Sequence, residues 1–200
     1  MVSTSKAVIP SQEQGVGQGD IFKDVKYSYI DSEDDDSVEV MEFTFPYEIV
    51  MSQSCDVAYM DEFESGETSA VVKYMPSILM CPIYPKDLIK HGEHLKDIFN
   101  YLDRTIESGA PYYNKDDIRV AEKDQHVRFH ALKIDASERT IMDQAVIDFK
   151  HLFSVPMKYL RNHRSQRICT IEDIYIDQIV NKMAAYLARV GLPDPKIPEK

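Results

Sequence analysis

The chain lacks the long apolar segments of membrane and secreted proteins. No run in its 200 residues approaches the ~18–20 consecutive apolar residues that a membrane helix needs. The N-terminal sequence MVSTSKAVIPSQEQGVGQG has no apolar core of the roughly 7–15 residues that signal peptides carry. We therefore expect a cytoplasmic protein that does not enter a membrane.

Cysteine is scarce, with only Cys55, Cys81 and Cys169 in the chain. An odd, widely spaced set argues against a disulfide framework and indicates reduced thiols. There is no CxxC pair, so a structural zinc site of ordinary spacing is not expected. We predict neither a bound metal nor a cofactor.

The sequence motifs of the large enzyme classes are also missing. There is no Gly-rich phosphate loop and no Walker, HExxH or GxSxG pattern. The composition, 44% hydrophobic and 28% charged, is typical of an ordinary globular protein. The length fits a single domain.

Acidic residues outnumber basic ones, and a net charge of -11 argues against broad binding of phosphate backbones. One segment departs from this rule, because no Asp or Glu lies between Phe149 and Ile171. Without its five basic residues, 18 basic and 34 acidic residues remain, a net charge of -16. The five residues of this basic segment are Lys150, Lys158, Arg161, Arg164 and Arg167.

Two interpretations of the basic segment stay open. It binds RNA or DNA, with Tyr159 and His163 available to stack on bases. Alternatively, it docks on an acidic surface, which belongs either to a protein partner or to this chain. A homodimer is a further partner hypothesis.

Segments rich in β-branched and aromatic residues predict strands at 38–45, 48–51, 70–75, 78–84, 127–134 and 145–149. A 3.6-residue apolar period predicts a mid-chain helix from Pro85 to Gly109. A second helix is predicted from Thr170, which would cap it with Asp173, to Gly191. Strands and helices do not alternate regularly, so we predict an α+β fold: a small, strongly bent antiparallel sheet or barrel with two helices.

Local patterns add detail to this prediction. Residues 1–18 read as a flexible tail, 19–193 as one globular domain and 194–200 as a C-terminal tail. The acidic run 31–36 predicts a hairpin loop. A change of phase predicts a bulge near Met41 and Glu42, and Pro46 predicts a break in that strand. The buried stripe of the last helix is expected to contain Ile174, Ile179, Met183, Leu187 and Val190.

The stretch MSQSCD places reactive side chains where a strand should end. Cys55 is a candidate nucleophile, although free cysteines are often buried, and we expect this one to be buried. Ser52 and Asp56 are expected to bond backbone groups at the strand exit. Gln53 is expected to face solvent or a cleft.

The stretch QHVRFHAL predicts that three ionisable side chains share one face of an extended segment. These are His126, Arg128 and His130, because side chains alternate along a strand. They could form the solvated face of a half-buried sheet, or they could clamp a phosphate and supply acid–base groups. His130 is the candidate general base and Arg128 its catalytic partner.

Three pieces of sequence resemble a family of poorly characterised bacterial proteins: Gly19-Asp20-Ile21-Phe22, the SQxCD element at 52–56, and the RVGLP-like ending at 189–193. The first half is similar, more distantly, to the MazF/PemK toxin barrel. That resemblance implies an SH3-like barrel. Asp20, Ser52, Gln53 and Asp56, which lie in the quoted motifs, are candidate binding residues.

The resemblance implies ribonuclease activity less directly. The toxins carry an arginine-proline pair before the hydrophobic strand, whereas this chain has Thr44-Phe45-Pro46-Tyr47. The first functional hypothesis is therefore an interaction or nucleic-acid-associated module of a mobile-element, toxin–antitoxin or phage-defence locus. The alternatives are a MazF/PemK-type endoribonuclease and, third, a hydrolase that uses Cys55.

Overall fold

A computed structural model describes residues 4–11, 13–33, 37–67, 71–95, 123–136 and 139–189. Its strands are β1 Thr4–Val8, β2 Asp20–Glu33, β3 Val38–Val50, β4 Ile78–Pro85, β5 Phe129–Ala136, β6 Arg139–Asp148, β7 Phe153–Val155 and β8 Arg167–Ile171. Its α-helices are α1 Ser54–Ser65, α2 Lys86–His91, α3 Met157–Asn162 and α4 Asp173–Leu187. Short 3₁₀ turns occupy Val71–Lys73, Glu93–Leu95, Phe149–His151 and Arg164–Gln166. The predicted α+β class is confirmed.

The eight strands form one sheet in the order β3-β2-β8-β1-β5-β6-β4-β7. All the strand pairs are antiparallel except β1 with β5. Strand β3 also pairs with β4, from Tyr47↔Ile83 to Val50↔Met80. This pairing joins the first strand of the order, β3, to the seventh, β4. The strands from β3 to β4 in that order therefore close into a ring, and β7 pairs with β4 outside it.

Strands β2 and β3 extend beyond this ring as a two-stranded hairpin. Strand β2 pairs with β8 only from Asp20 to Phe22, and β3 pairs with β4 only from Tyr47 onward. We call residues 26–44 the arm. None of its described side chains is buried.

Because side chains alternate along each strand, the sheet builds apolar cores on both of its faces, and a smaller third cluster forms around Tyr84 and Phe129. Ile21 and Ile49 belong to the core that α4 covers with Ile179. Their neighbours Phe22 and Val50 belong to the core that α1 and α3 cover. The alternation fixes which face of the sheet each helix packs on.

Where residues 1–18 are described, at 4–11 and 13–18, they include a strand and are not the predicted flexible tail. Residues 4–8 form β1, which pairs in parallel with β5 and antiparallel with β8. The local sequence of β1 does not predict a strand, because β1 is stabilised by pairing with two strands more than a hundred residues away. The C-terminal tail at 194–200 lies outside the described residues.

One end of each predicted helix also differs from the structure. Thr170 lies in β8, where its hydroxyl donates to Asp20 Oδ1, so it does not cap the last helix. The helix that follows Pro85 begins as predicted, but Gly92 adopts φ 74 and ends it after His91. The remainder of that predicted helix, at 96–109, lies outside the described residues.

Strand irregularities differ from the prediction as well. Strand β3 runs through Pro46, and the register shift lies in β2 between Ile30 and Ser32. The predicted strand at 70–75 is instead a 3₁₀ turn where it is described. The two strands on either side of the acidic run do pair with each other, as predicted, but Asp31 to Glu33 belong to β2 and are not loop. Within the described residues, no helix combines the length and apolarity needed to cross a membrane.

Candidate functional site

A pocket of about 210 Å³ lies where the arm meets the ring of strands. Strand β3 contributes Phe43 through Pro46 to its wall, and β4 contributes Tyr84. The turn after α2 adds Glu93 and His94. The remaining lining residues are Asp24 of β2 and Leu88 of α2, so two separate segments of the chain, 24–46 and 84–94, meet around this space.

Aromatic rings hold the pocket in place. The ring of Phe45 packs against Phe153 at 4.8 Å and edge-on against Tyr84 at 6.3 Å between centroids. Phe43 stacks on Tyr29 at 5.7 Å, further along the arm. The odd-numbered side chains of β3 thus continue the apolar packing of the core into the pocket.

Asp24 has an unusual backbone, with φ 55 in the middle of a strand. Aspartate tolerates this left-handed region better than most residues, but it remains a sparsely populated conformation. Asp24 stands opposite Pro46, which has no N–H to offer to the ladder. Such outliers gather at functional sites, and this one lines the pocket.

A polar cluster lies beside the pocket. Asp148 is fully buried and accepts two bonds from Arg128, at 2.7 Å from Nε and 2.5 Å from Nη2. His151 Nδ1 lies 3.2 Å from Asp148 Oδ2 and 3.4 Å from the Tyr84 hydroxyl. Burial and the nearby Asp148 charge raise the pKa of Tyr84, so its hydroxyl stays protonated.

The two histidines of this region are neutral at physiological pH. Burial lowers the pKa of His94 to about 4, and burial also lowers the pKa of His151 against the opposing charge of Asp148. His94 Nδ1 lies 3.3 Å from the Leu88 carbonyl. A carbonyl can only accept, so Nδ1 carries the proton and Nε2 is the basic nitrogen.

Glu48 is the least satisfied charged residue of the sheet. It is completely buried, and no side chain among the described residues donates to its carboxyl group. Burial raises its pKa to about 9, the backbone N–H of Val25 partly opposes this effect, and the charge of Asp24 adds to it. Glu48 is therefore protonated and uncharged at neutral pH.

The charge of the pocket wall has one sign. Asp24 and Glu93 are both exposed and line the wall, and the described lining residues include neither a lysine nor an arginine. The nearby Arg128 is held by Asp148. No group of three or more His, Cys, Asp or Glu side chains among the described residues is arranged to hold a metal ion. The arrangement favours a cation and disfavours an anion.

The MSQSCD stretch is a helix start rather than a strand turn. Strand β3 ends at Val50 and α1 begins at Ser54. Cys55 is exposed, so the expected burial is wrong. Its thiol lies 3.7 Å from Asp56 Oδ1 and 4.0 Å from Gln53 Oε1.

Of the other expectations for this stretch, those for Ser52 and Gln53 agree with the structure and that for Asp56 does not. Ser52 Oγ accepts from Leu79 N at 2.9 Å, as predicted, and Gln53 is exposed, as predicted. The polar contact of the Asp56 side chain is the Cys55 thiol, and not a backbone group. Ser54 instead ties the helix start to the N-terminal segment by donating to Gln18 Oε1.

The QHVRFHAL residues separate into two networks. Arg128 joins Asp148, while His130 is buried with its Nδ1 3.2 Å from Asp124 Oδ1. Burial of Asp124 acts to raise its pKa, but hydrogen bonds from His130 and Lys182 outweigh it and hold the pKa at about 2. His126 is half-buried and accepts from Arg128 N at 3.2 Å. A solvated face is wrong for His130.

The basic segment docks largely on the chain's own acidic residues. Arg161 and Arg164 each lie 2.9 Å from Asp61 Oδ1 on α1. Arg167 pairs with buried Asp20 at 2.8 Å. Lys158 is exposed. The interpretation in which this segment meets its own chain's acidic surface therefore describes all three arginines.

Sequence reasoning missed most of the pocket. Its residues come from segments that show no motif, and Tyr84, Asp148 and His151 read as ordinary strand and loop residues. The available signals were the shared parity of Phe43 and Phe45 and the proline that follows them. Comparisons with family models, curated proteins and solved structures found no match to this chain.

Proposed function

We propose that this chain is a protein-interaction module that binds a partner with a basic surface through its arm. The observation that carries this proposal is the composition of the arm, which contains seven carboxylates and one lysine in its 19 residues. Complementary charge speeds encounter and selects between partners.

The exposed apolar side chains of the arm support the same proposal. Ile30 and Val40 face each other across the two strands, 62% and 55% exposed, and Val38 is 52% exposed. A two-stranded hairpin on its own is only marginally stable in water. Contact with a partner would bury these side chains and order the strands.

The finer fold assignment belongs to the same proposal. The closed order of seven strands supports a barrel, and an SH3-like barrel of the MazF/PemK type is the one the sequence resembles. A cytoplasmic setting and a place in a mobile-element, toxin–antitoxin or phage-defence locus follow from the resemblance alone.

The charge arrangement supports this proposal over the two enzyme alternatives. For the ribonuclease alternative, Arg128 is neutralised by Asp148, and His130 contacts Asp124. For the thiol hydrolase, the groups nearest to the Cys55 thiol are an amide and a carboxylate. Arg161, Arg164 and Arg167, which would contact RNA or DNA, form intramolecular ion pairs.

Calorimetric titration with a short synthetic peptide of alternating lysine and serine tests the proposal. We expect the double variant Glu39→Gln/Glu42→Gln to bind the peptide about three- to tenfold more weakly than the unmodified chain at low salt. The matched control is Glu62→Gln/Asp177→Asn, which removes two exposed charges outside the arm. Equal losses in both variants would mean that overall charge binds the peptide, and the proposal would fail.

A further inference from the structure

The pocket at the base of the arm has aromatic walls. Phe43, Phe45 and Tyr84 all line it, and the last is almost completely buried. The face of an aromatic ring carries partial negative charge, so it attracts cations as well as apolar groups. Such walls favour a ligand group that is both apolar and positively charged.

The polar lining carries charge of the matching sign. Asp24 and Glu93 place two carboxylates around the same space. His94 also lines the wall, and burial lowers the pKa of its imidazole so that it is neutral. An anion would meet two like charges here, whereas a cation would meet none of its own sign among the lining residues.

The size of the pocket limits its ligand. At about 210 Å³ it is smaller than the roughly 300–1,000 Å³ of pockets that hold drug-sized ligands. Phe43 and Thr44 of the arm are part of its lining. A compact head group on a longer chain fits these dimensions better than a complete nucleotide.

The backbone of Asp24 supports a binding role. Its φ of 55 holds a carboxylate-bearing residue in an unfavourable conformation at the pocket wall. Strain of this kind persists where the surrounding structure enforces it, and it is common at ligand-binding positions.

We propose that this pocket binds an organic ammonium ion, with its alkylated nitrogen against Phe43, Phe45 and Tyr84 and between the carboxylates of Asp24 and Glu93. The ion has two chemically equivalent sources, a small quaternary amine or the alkylated side chain of a lysine in a polypeptide. The pocket binds such an ion whether or not the arm binds a basic partner.

Choline and its uncharged carbon isostere, 3,3-dimethylbutan-1-ol, are the first probes. The two molecules have nearly the same shape, so a difference between them reports on charge. We expect choline to bind at least about tenfold more tightly by ligand-observed NMR titration. Equal, measurable affinity for the two would overturn the proposal, whereas a failure of choline to bind would exclude the small-molecule source.

Variants of the wall locate the binding. Glu93→Gln and Asp24→Asn should each weaken choline binding about three- to tenfold, and Phe43→Leu about two- to fivefold, because leucine keeps the apolar surface and loses the ring. Glu62→Gln makes the same charge change on α1 and should leave the affinity unchanged. If Glu62→Gln and Glu93→Gln have equal effects, choline is not in this pocket.

The source of the ion is decided by a second pair of probes. A short serine-rich peptide with one trimethyllysine is compared with the same peptide carrying unmodified lysine. Tighter binding of the trimethylated peptide identifies a polypeptide side chain, and binding of choline alone identifies a small molecule. Both results support the ammonium site. Failure of both pairs would overturn it without touching the arm, which is tested separately by the acidic-arm variants.

Discussion

At the scale of single residues, Arg167 joins distant parts of the chain. Its guanidinium donates to Asp20 and to the carbonyls of Ser11, Gln14 and Gly15. The N-terminal segment therefore wraps around a side chain of β8. This explains why a segment with so little apolar content is ordered.

Replacing Arg167 should be severely destabilising. Arg167→Met leaves the Asp20 carboxylate buried without its partner, and we expect a loss of about 3–5 kcal/mol in the free energy of unfolding. Lys158→Ala, an exposed residue of the same basic segment, should change it by less than about 0.5 kcal/mol. Urea unfolding measures both, and similar values for the two variants would contradict the network.

Glu48 makes stability depend on pH. Its folded pKa of about 9 exceeds the ordinary value of 4.5, so the folded chain keeps a proton that the unfolded chain has lost. Stability should therefore fall as pH rises between these values. Below about pH 6.5 the lowered pKa values of His94 and His151 act in the opposite direction, because there the unfolded chain binds the extra protons.

The range from about pH 7 to 8 therefore isolates Glu48, because at higher pH the raised thiol pKa values of Cys81 and Cys169 add a slope of the same sign. We expect the free energy of unfolding to fall by up to about 1.4 kcal/mol per pH unit there, and Glu48→Gln to remove most of that slope. The measurement is urea unfolding at several pH values. A slope in the Gln variant equal to that of the unmodified chain would show that Glu48 is not protonated in the folded state.

The three cysteines should react at very different rates. Cys55 is exposed, whereas Cys81 and Cys169 are buried and burial raises the pKa of both thiols, that of Cys169 to about 12. We expect a thiol reagent to modify one cysteine quickly in the folded chain and all three after unfolding. Mass spectrometry of the labelled peptides would identify the site, and fast labelling of Cys81 would contradict the described core.

At the scale of elements, α4 shows which buried residues a periodic apolar pattern predicts and which it does not. Ile179 and Met183 are buried as predicted, but Ile174 and Leu187 are 67% and 56% exposed. The buried face also contains Ile176 and Tyr186, so it is rotated from the predicted stripe. A helix with many apolar residues allows several stripes, and only the packing partner selects one.

The rotation of α4 gives a matched pair of variants. Ile179→Asp places an unpaired charge in the core and should cost several kcal/mol, enough to unfold the chain. Leu187→Asp makes the same chemical change on an exposed position and should leave the chain folded. Circular dichroism during thermal unfolding distinguishes them, and equal destabilisation would mean that Leu187 is covered.

At the scale of the whole molecule, the sequence predicts what depends on local pattern. The α+β class, the hairpin around the acidic run and the end of a strand before Ser52 follow from alternation and turn residues. Strand β1 does not, because its pairing partners lie beyond residue 129. The pocket does not either, because its wall is assembled from β2, β3, β4 and the turn after α2.

The ionisable residues show the same division. The sequence identifies Arg128, His130 and the arginines of the basic segment as unusual, but it cannot show that each already has a partner in the chain. Asp20, Asp61 and Asp148 supply partners from distant segments, and Asp124 supplies the partner of His130. A group that looks available in sequence can therefore be fully engaged in the fold.

The central claim is that the acidic arm binds a basic partner, and amide hydrogen exchange across the full chain tests it most directly. Exchange is compared with and without the lysine-serine peptide. In the free chain the arm should exchange fast, because its amides lie in an exposed two-stranded hairpin. With the peptide, we expect exchange at 26–33 and 37–44 to slow about tenfold or more, and to slow less in Glu39→Gln/Glu42→Gln. Unchanged exchange in the arm, with protection appearing elsewhere, would contradict the claim.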